Sequence, residues 1–318
     1  MKVRKAVITA AGRGTRLYPV ADTVQKAMLP LVDRDGLVKP VIQIIAEEAL
    51  ASGIEELCVV CAPGDEAHYL RQFSALRENL LSAYNGIDWA VEQAHRIDHI
   101  LESIHFAAQS EPLGYGHAVY SAKAFCGDEP FLLLLGDHLY LSHEAEKRCA
   151  QQLIECAVQN NSAVAAVQAT REHVIGNYGT VTGKHLPNQR GVYRVERIIE
   201  KPSLCIAEIE LLTPGLRAGH YLCFFGMHVL TPVIFDLLSE QIALTDVAHT
   251  EVQLTPAMQE LARRDTLYAL DVHGIRYDIG QQYGLLRAQL ALGIAGGQRD
   301  LVLTLLNEQM LELHQTLH

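Results

Sequence analysis

The chain has 318 residues, 49% of them hydrophobic and 20% charged, with a formal net charge of −11. This is ordinary globular composition, long enough for one large α/β domain or two smaller ones around a substantial core. The acidic balance argues against a nucleic-acid partner, which needs a basic footprint, but not against a phosphorylated small molecule held by local cations and a divalent metal.

The seven cysteines are odd in number and show no disulfide framework. Cys58 and Cys61 form a C-x-x-C inside an apolar run, which suits buried reduced thiols on a strand better than a redox or zinc pair. The apolar run near the N-terminus is too short for a secretory signal. No stretch approaches the ~20 apolar residues that span a bilayer. The expectation is a cytoplasmic protein with no membrane partner.

In chain order, residues 3–9 read as a first strand. It enters the stretch VITAAGRGTRLYPVADTVQKAMLP, residues 7–30. Ala10, Ala11, Gly12 and Gly14 allow a tight bend that brings backbone N–H groups close to a ligand. Arg13, Arg16 and Lys26 add positive charge. The pattern is neither a Walker A loop nor a dinucleotide fingerprint, because Leu17 stands at the third glycine position. An ordinary strand-to-helix turn and a phosphate nest both remain open on these residues alone.

Residues 41–50 have helical spacing with Glu47 and Glu48 on the polar side, and 57–61 form a second buried strand. Strand, helix and strand predict a right-handed βαβ unit, with the loop at the carboxyl end of the first strand. Residues 66–81 are predicted helical. His95 and His99, four apart, have no third ligand nearby and read as surface histidines. After a strand at 103–109 comes QSEPLGYGHA, a loop opening a helix at about 117–125. Gln109 there offers an amide that can read a base edge, or the segment simply connects. PFLLLLG, residues 130–136, suits a central strand buried on both faces. Asp137 follows it, placed to hold a hard divalent cation such as Mg²⁺ or to cap a following helix.

Further on, 144–159 is predicted helical, 162–170 a strand, and Arg190-Gly191 a turn into a strand at 192–199. Next come a strand at 221–226, a helix at 232–239, a helix from Glu251 to about Arg264 and a strand at 267–272. Asp278 follows, by itself more a turn residue than a ligand. Residues 300–318 form an amphipathic helix whose apolar side, from Leu301 and Val302 through Leu305, Leu306, Met310 and Leu313 to Leu317, packs on its own domain or on another subunit. No internal repeat is present.

Taken together, the motifs carry a resemblance. A-A-G-x-G-T-R-x-x-P begins at Ala10, K-x-M-L-P at Lys26 and Q-x-E-P-L-G-x-G-H-A at Gln109. L-L-G-D ends at Asp137, followed by Tyr178-Gly179, E-K-P at Glu200, E-x-Q-L-T at Glu251 and R-Y-D-I-G at Arg276. From about Lys5 to Gly293 the chain resembles the nucleotidyltransferases that activate sugar 1-phosphates. It is most similar to the bacterial members that transfer a uridylyl group from UTP to glucose 1-phosphate, giving UDP-glucose and pyrophosphate.

The resemblance implies an α/β fold with a Rossmann-like, mixed, mostly parallel central sheet flanked by helices and a small inserted β region for the sugar. It implies a catalytic domain at 1–295, with the sugar portion at about 171–250; the helical segment at 296–318 is left as a candidate subunit contact, and a dimer or tetramer is expected. It also implies roles. Ala10, Ala11 and Gly12 would hold the nucleoside, and Gly14, Thr15 and Arg16 the departing pyrophosphate. Lys26 would reach the reacting phosphates. Gln109 and Gly114 would read uracil. Asp137 and Asp278 would hold Mg²⁺. Gly179 and Glu200 would bind glucose hydroxyls, and Lys201 the sugar phosphate. Arg16, Lys26, Asp137 and Lys201 would be the catalytic set.

There are departures from the family pattern. His138 stands where an acidic residue is common, which would weaken metal binding, and Gln25 where proline is common. The connection at 33–40 is long. Pro256 replaces a frequent aspartate, and Met227-His228 replace Arg-Tyr beside Gly226. The same chemistry with dTTP or another sugar 1-phosphate is therefore an alternative, as is a non-catalytic UDP-sugar sensor.

Overall fold

A computed structural model describes residues 1–12, 14–17, 19, 23–244 and 251–316. Arg13 and Leu317 lie outside the described residues. The first apolar run forms β1 (Lys5–Thr9), and a single helical turn at Lys26–Met28 leads into a hairpin of β2 (Pro30–Val32) and β3 (Val38–Pro40). Then come α1 (Val41–Leu50), β4 (Glu56–Cys61), α2 (Asp65–Ala83), α3 (Asp88–Ser103) and β5 (Ile104–Ala108). The next segment holds α4 (Tyr115–Ser121), α5 (Lys123–Cys126), β6 (Phe131–Leu135), β7 (His138–Ser142), α6 (Cys149–Asn160) and β8 (Ala163–Arg171). β9 (Gly179–His185), β10 (Val192–Glu200), α7 (Leu204–Glu210), β11 (His220–Leu230) and α8 (Val233–Leu244) follow. α9 (Leu254–Arg264), β12 (Leu267–Asp271), β13 (Gly274–Asp278), α10 (Gly284–Ala295) and α11 (Arg299–Thr316) complete the order.

Among the described residues one nine-stranded sheet runs β5-β4-β1-β6-β11-β8-β12-β10-β9. The half from β5 to β6 is parallel, as the predicted βαβ unit requires. From β11 outward the pairing is antiparallel except for β12 with β8. The sheet is thus mixed and flanked by helices, and the expected small β region continues this same sheet through β8 to β12. β6 sits between β1 and β11, with Phe131 to Leu134 fully buried, as an apolar strand covered on both faces should be.

Three expectations change. Glu47 and Glu48 are not on a solvated face of α1 but buried, because α1 is covered by neighbouring elements. Glu47 accepts from Lys39 and Gln43, and Glu48 from the Ala150 amide and Arg148. β11 runs past Gly226 to Leu230 through a register shift between Phe224 and His228. Such a bulge re-aims side chains. Asp137 is followed by a strand, not a helix it could cap. Cys58 and Cys61 are buried free thiols whose pKa burial pushes up to about 12, so neither is a nucleophile or thiolate ligand at neutral pH. His95 and His99 lie exposed on α3.

Candidate active site

β1 ends at Thr9, and the chain then bends over the carboxyl end of the parallel half of the sheet. The Ala10 amide donates to the Val60 carbonyl at 2.8 Å, holding the first turn of the bend against β4. A cavity of about 330 Å³ opens here, lined by Ala10, Ala11, Gly12, Lys26, Gln109, Gly114 and Asp137. Gln109 follows β5, and its Nε2 donates to the Gly114 carbonyl at 3.1 Å. Gly114 has φ +112°, and a Cβ there would stand 2.7 Å from the Val252 carbonyl. Only glycine lets this loop turn so close to the segment before α9. Gly14 and the Thr15–Leu17 turn stand between this bend and Lys26, where the Leu17 amide donates to the Gly14 carbonyl.

A second cavity, about 680 Å³, shares Tyr115, Leu135, Asp137 and Glu251 with the first. Its far side carries Tyr178, Gly179, Glu200, Lys201, Phe224, His228 and Thr255. Glu200 accepts from Thr255 Oγ1 at 2.6 Å. A Cβ on Gly179 would fall 2.5 Å from the Phe224 ring and 2.9 Å from Glu200 Oε2, so glycine keeps this wall open. Lys201 adopts φ +45°, a left-handed conformation that costs a non-glycine residue energy and marks functional positions. Its side chain is 61% exposed, with Nζ 3.8 Å from Glu200 Oε1.

The junction of the cavities is the charged centre. Lys26 Nζ donates to Asp137 Oδ2 at 2.5 Å, and the other oxygen, Oδ1, lies 2.9 Å from His138 Nδ1. Burial alone would raise the Asp137 carboxyl. The His138 hydrogen bond and the charges of His138 and Lys26 outweigh it and hold the group well below the usual carboxylate range. Asp278 arrives because β13 pairs antiparallel with β7, setting Asp278 opposite His138. It accepts from Arg16 Nη1 at 3.2 Å, the Gly280 amide at 2.8 Å and Gln281 at 3.1 Å.

Ligand atoms of Asp137, His138 and Asp278 all lie within 4.8 Å of one another. A Cβ on Gly280 would lie 2.8 Å from Asp137 Oδ2 and 3.0 Å from Asp278 Oδ1, so the space between the carboxylates is open because residue 280 is glycine. Two carboxylates and an imidazole around such a space fit a divalent cation, and oxygen donors favour a hard one.

Residues 5–293 match the Nucleotidyl transferase family. The chain belongs to this family. Over 295 residues it is 36% identical to the UTP–glucose-1-phosphate uridylyltransferase of Streptococcus pyogenes, covering 91% of this chain and 88% of that protein. Among solved structures it is similar to a UDP-glucose pyrophosphorylase complexed with UDP-glucose, with TM-score 0.70, 28% identity and coverage of 91% of this chain and 98% of the other. It is also similar to a UTP-bound UGPase from Acinetobacter baumannii, with TM-score 0.73, 26% identity and coverage of 96% and 98%.

For this nucleotidyl transferase, most residues singled out by sequence converge on two connected cavities, although Gly14 lines neither. Lys26, Asp137, Asp278 and Arg16 meet within hydrogen-bond or ion-pair reach, Gln109 and Gly114 line one side, and Gly179, Glu200 and Lys201 the other. His138, Thr255, Tyr115 and His228 join them without having been singled out as site residues. His228 is 4% exposed, its Nδ1 has no hydrogen-bond partner among the described residues, and burial pulls its pKa down to about 3. It is therefore a neutral imidazole beside the larger cavity. Its departure from the family's Arg-Tyr was the available signal. No helix among the described residues is long and apolar enough to cross a membrane.

Proposed function

We propose that this chain transfers a uridylyl group from UTP to glucose 1-phosphate, forming UDP-glucose and releasing pyrophosphate. The observation that carries the proposal is the junction of Lys26, Asp137 and Asp278 between a cavity lined by backbone and an amide and a cavity lined by Glu200 and Lys201. The similarity to proteins named for this reaction and solved with UTP or UDP-glucose supports it.

In this reading the backbone of Ala10, Ala11 and Gly12 holds the nucleoside. With Gln109 Nε2 engaged by the Gly114 carbonyl, its Oε1 accepts from the uracil N3–H. Gly14, Thr15 and Arg16 neutralise the departing pyrophosphate. Lys26 turns from Asp137 to the α-phosphate, whose oxygens gain charge as the attack proceeds. Lys201 holds the phosphate of glucose 1-phosphate, Glu200 accepts from sugar hydroxyls, and Gly179 leaves room for the ring. An oxygen of the sugar phosphate attacks the α-phosphorus in line, and the bond to the β-phosphate oxygen breaks. No protein nucleophile is needed, so the chain contributes position and charge.

Asp137 and Asp278 would hold Mg²⁺, with His138 orienting Asp137 through Oδ1. The ion would add charge neutralisation at the α-phosphate and the leaving group.

The test is pyrophosphate release with Mg²⁺, crossing several nucleoside triphosphates with several sugar 1-phosphates. UTP with glucose 1-phosphate should give the highest kcat/KM. A different winning pair would replace the substrates, and UDP-glucose binding without any turnover would make the chain a sensor. His228 favours examining the second substrate closely, because a neutral imidazole there offers a different hydrogen-bond pattern from a tyrosine. For the base, uracil and thymine differ by one methyl group, which a pocket discriminates by only about 1–3 kcal/mol.

We further propose that residues 1–295 are the catalytic unit and that 296–318 contact a second subunit. On α11, Leu301, Leu305 and Met310 are 55%, 52% and 60% exposed. Light scattering of the purified chain should give a dimer or tetramer, and a monomer at micromolar concentration overturns the assignment.

A further inference from the structure

Outside the two cavities of the active site lies a third hollow of about 390 Å³ between the end of β8, β13 and the start of α10. Its walls carry Arg171, Arg276, Arg287 and His173, and Asp278 is the one carboxylate among them. In a chain of net charge −11, this wall sets three arginines against one carboxylate. Several arginines elsewhere are neutralised, Arg4, Arg77, Arg96, Arg148, Arg197 and Arg264 each pairing with a carboxylate, whereas these three face one wall together. Arg171, Arg276 and Arg287 form no ion pair among the described residues. Unneutralised charges lining a concave, low-dielectric wall focus their field into it and raise the local anion concentration.

One of these guanidinium groups is also fixed in place. Arg276 donates to the Phe224 carbonyl and its Cζ sits over the Tyr178 ring, 3.9 Å from the centroid. That uses part of its five-donor fork and leaves the remainder preorganised for a planar or tetrahedral oxyanion. Arg287 projects from the first turns of α10, whose amino end also faces the hollow through Gly284 and adds the positive end of the helix dipole. Arg171 closes the other side from the last position of β8.

We propose that this hollow binds a phosphate dianion, free or as the monoester of a small metabolite, at a site separate from both substrates. Its position gives the bound anion a route to the active site. Tyr178, Asp278 and Gln281 line both this hollow and the larger cavity. Arg276 stands two residues before Asp278 on β13 and sits over the residue before Gly179. An anion that tightens its grip on Arg276 acts on both.

The test is isothermal titration with inorganic phosphate and, separately, with glucose 6-phosphate. Three proteins are compared: the full chain, the Arg171→Ala/Arg287→Ala variant, and the Lys26→Ala/Lys201→Ala variant, which removes active-site phosphate binding. Both substituted arginines are exposed, and thermal melting of each variant establishes that it is folded. The expected result is a saturable site present in the full chain and kept in the lysine variant, weakened at least tenfold in the arginine variant. Equal affinity for the two ligands identifies free phosphate as sufficient, and tighter glucose 6-phosphate binding identifies an ester ligand. Absence of saturable binding, or binding lost in the lysine variant and kept in the arginine variant, overturns the proposal.

Discussion

Lys39 provides the sharpest test of how the arm carrying Lys26 is held. Its side chain is 2% exposed, and Nζ lies 2.9 Å from Asp33 Oδ2, 2.7 Å from Asp35 Oδ2 and 2.9 Å from Glu47 Oε2. Lys39→Met keeps most of the volume and removes the charge. Asp33 and Glu47, both nearly buried, keep only more distant cations, Arg96 Nη1 at 3.7 Å from Glu47 and 3.9 Å from Asp35 and Arg34 Nε at 3.9 Å from Asp33. Removing one partner of a buried ion pair costs about 3–5 kcal/mol. Because Asp35 is 32% exposed and Arg96 remains, the lower end applies, about 3 kcal/mol. In a chain of this size that is a fall in Tm of roughly 4–5 °C.

The pH dependence carries a definite sign. Burial alone would raise Asp33, but the charge and hydrogen bond of Lys39 outweigh it and the pKa is lowered. Burial alone would lower Lys39, but Asp33 and Glu47 outweigh it and the pKa is raised. Asp33 therefore contributes stability above its unfolded pKa of about 3.9, lost as pH falls through its folded value. Lys39 contributes below its unfolded pKa of about 10.4, lost as pH rises through its folded value. Without Lys39, burial raises the Asp33 carboxyl instead, so the variant takes up a proton on folding and recovers in acid. Urea unfolding at pH 7 and pH 4.5 should show a deficit that shrinks at the lower pH. Equal stability at pH 7, or a deficit independent of pH, would refute the reasoning.

Asp137→Ala should lower Mg²⁺-dependent pyrophosphate release by at least about 10²–10³-fold, the scale of losing a preorganised electrostatic contact; full activity would sink the metal assignment. Lys201→Ala should raise KM for the sugar 1-phosphate by roughly 10–100-fold, the loss of a charged hydrogen bond, with KM for UTP nearly unchanged; equal shifts in both constants would count against it. Gly280→Ala pushes a methyl group between Asp137 and Asp278. Overpacking of about 1–3 kcal/mol should raise the Mg²⁺ concentration for half-maximal rate by roughly 5–150-fold, and an unchanged Mg²⁺ titration excludes that cradle. His228→Phe removes an unpartnered polar group, so Tm should not fall, while the ratio of kcat/KM between glucose 1-phosphate and other hexose 1-phosphates should change. A constant ratio removes His228 from sugar recognition.

Signals confined to a few neighbouring residues were legible in the sequence. The apolar runs of β1, β4 and β6 and the helical spacing of α1 anticipate the parallel half of the sheet, because burial on both faces demands continuous hydrophobicity. The glycine-rich bend follows from small residues after such a strand. What could not be read was pairing over long separations. Asp278 alone resembles a turn residue, and it meets Asp137 because β13 pairs with β7, more than a hundred positions earlier. Glu47 and Glu48 have the spacing of a solvated face, yet Lys39 and Arg148 satisfy them inside the fold. His138 breaks the family pattern as an acid lost, and the structure sets it against Asp137 Oδ1, where it supports the carboxylate.

The long connection at 33–40 also gains a physical account. It does not hang loose beside the site. Lys39 anchors its base to α1, and its tip reaches the turn between α10 and α11, where the Gly297 amide donates to the Arg34 carbonyl and Gln298 lies against Gly36. The following strand interface is equally direct, since Gln289 of α10 both donates to and accepts from the Val32 backbone. Lys26 stands four residues before β2, and Asp278 stands six residues before α10. A single helix therefore joins the segment that carries the phosphate-reaching lysine to the segment that carries the second carboxylate. The extra residues of the connection are what reach that turn. Asp278 is held at the same time to the sheet side, because β13 pairs with β7 and the Ile279 amide donates to the Asp137 carbonyl at 2.9 Å, so a shift of α10 bears on Lys26 and on both carboxylates.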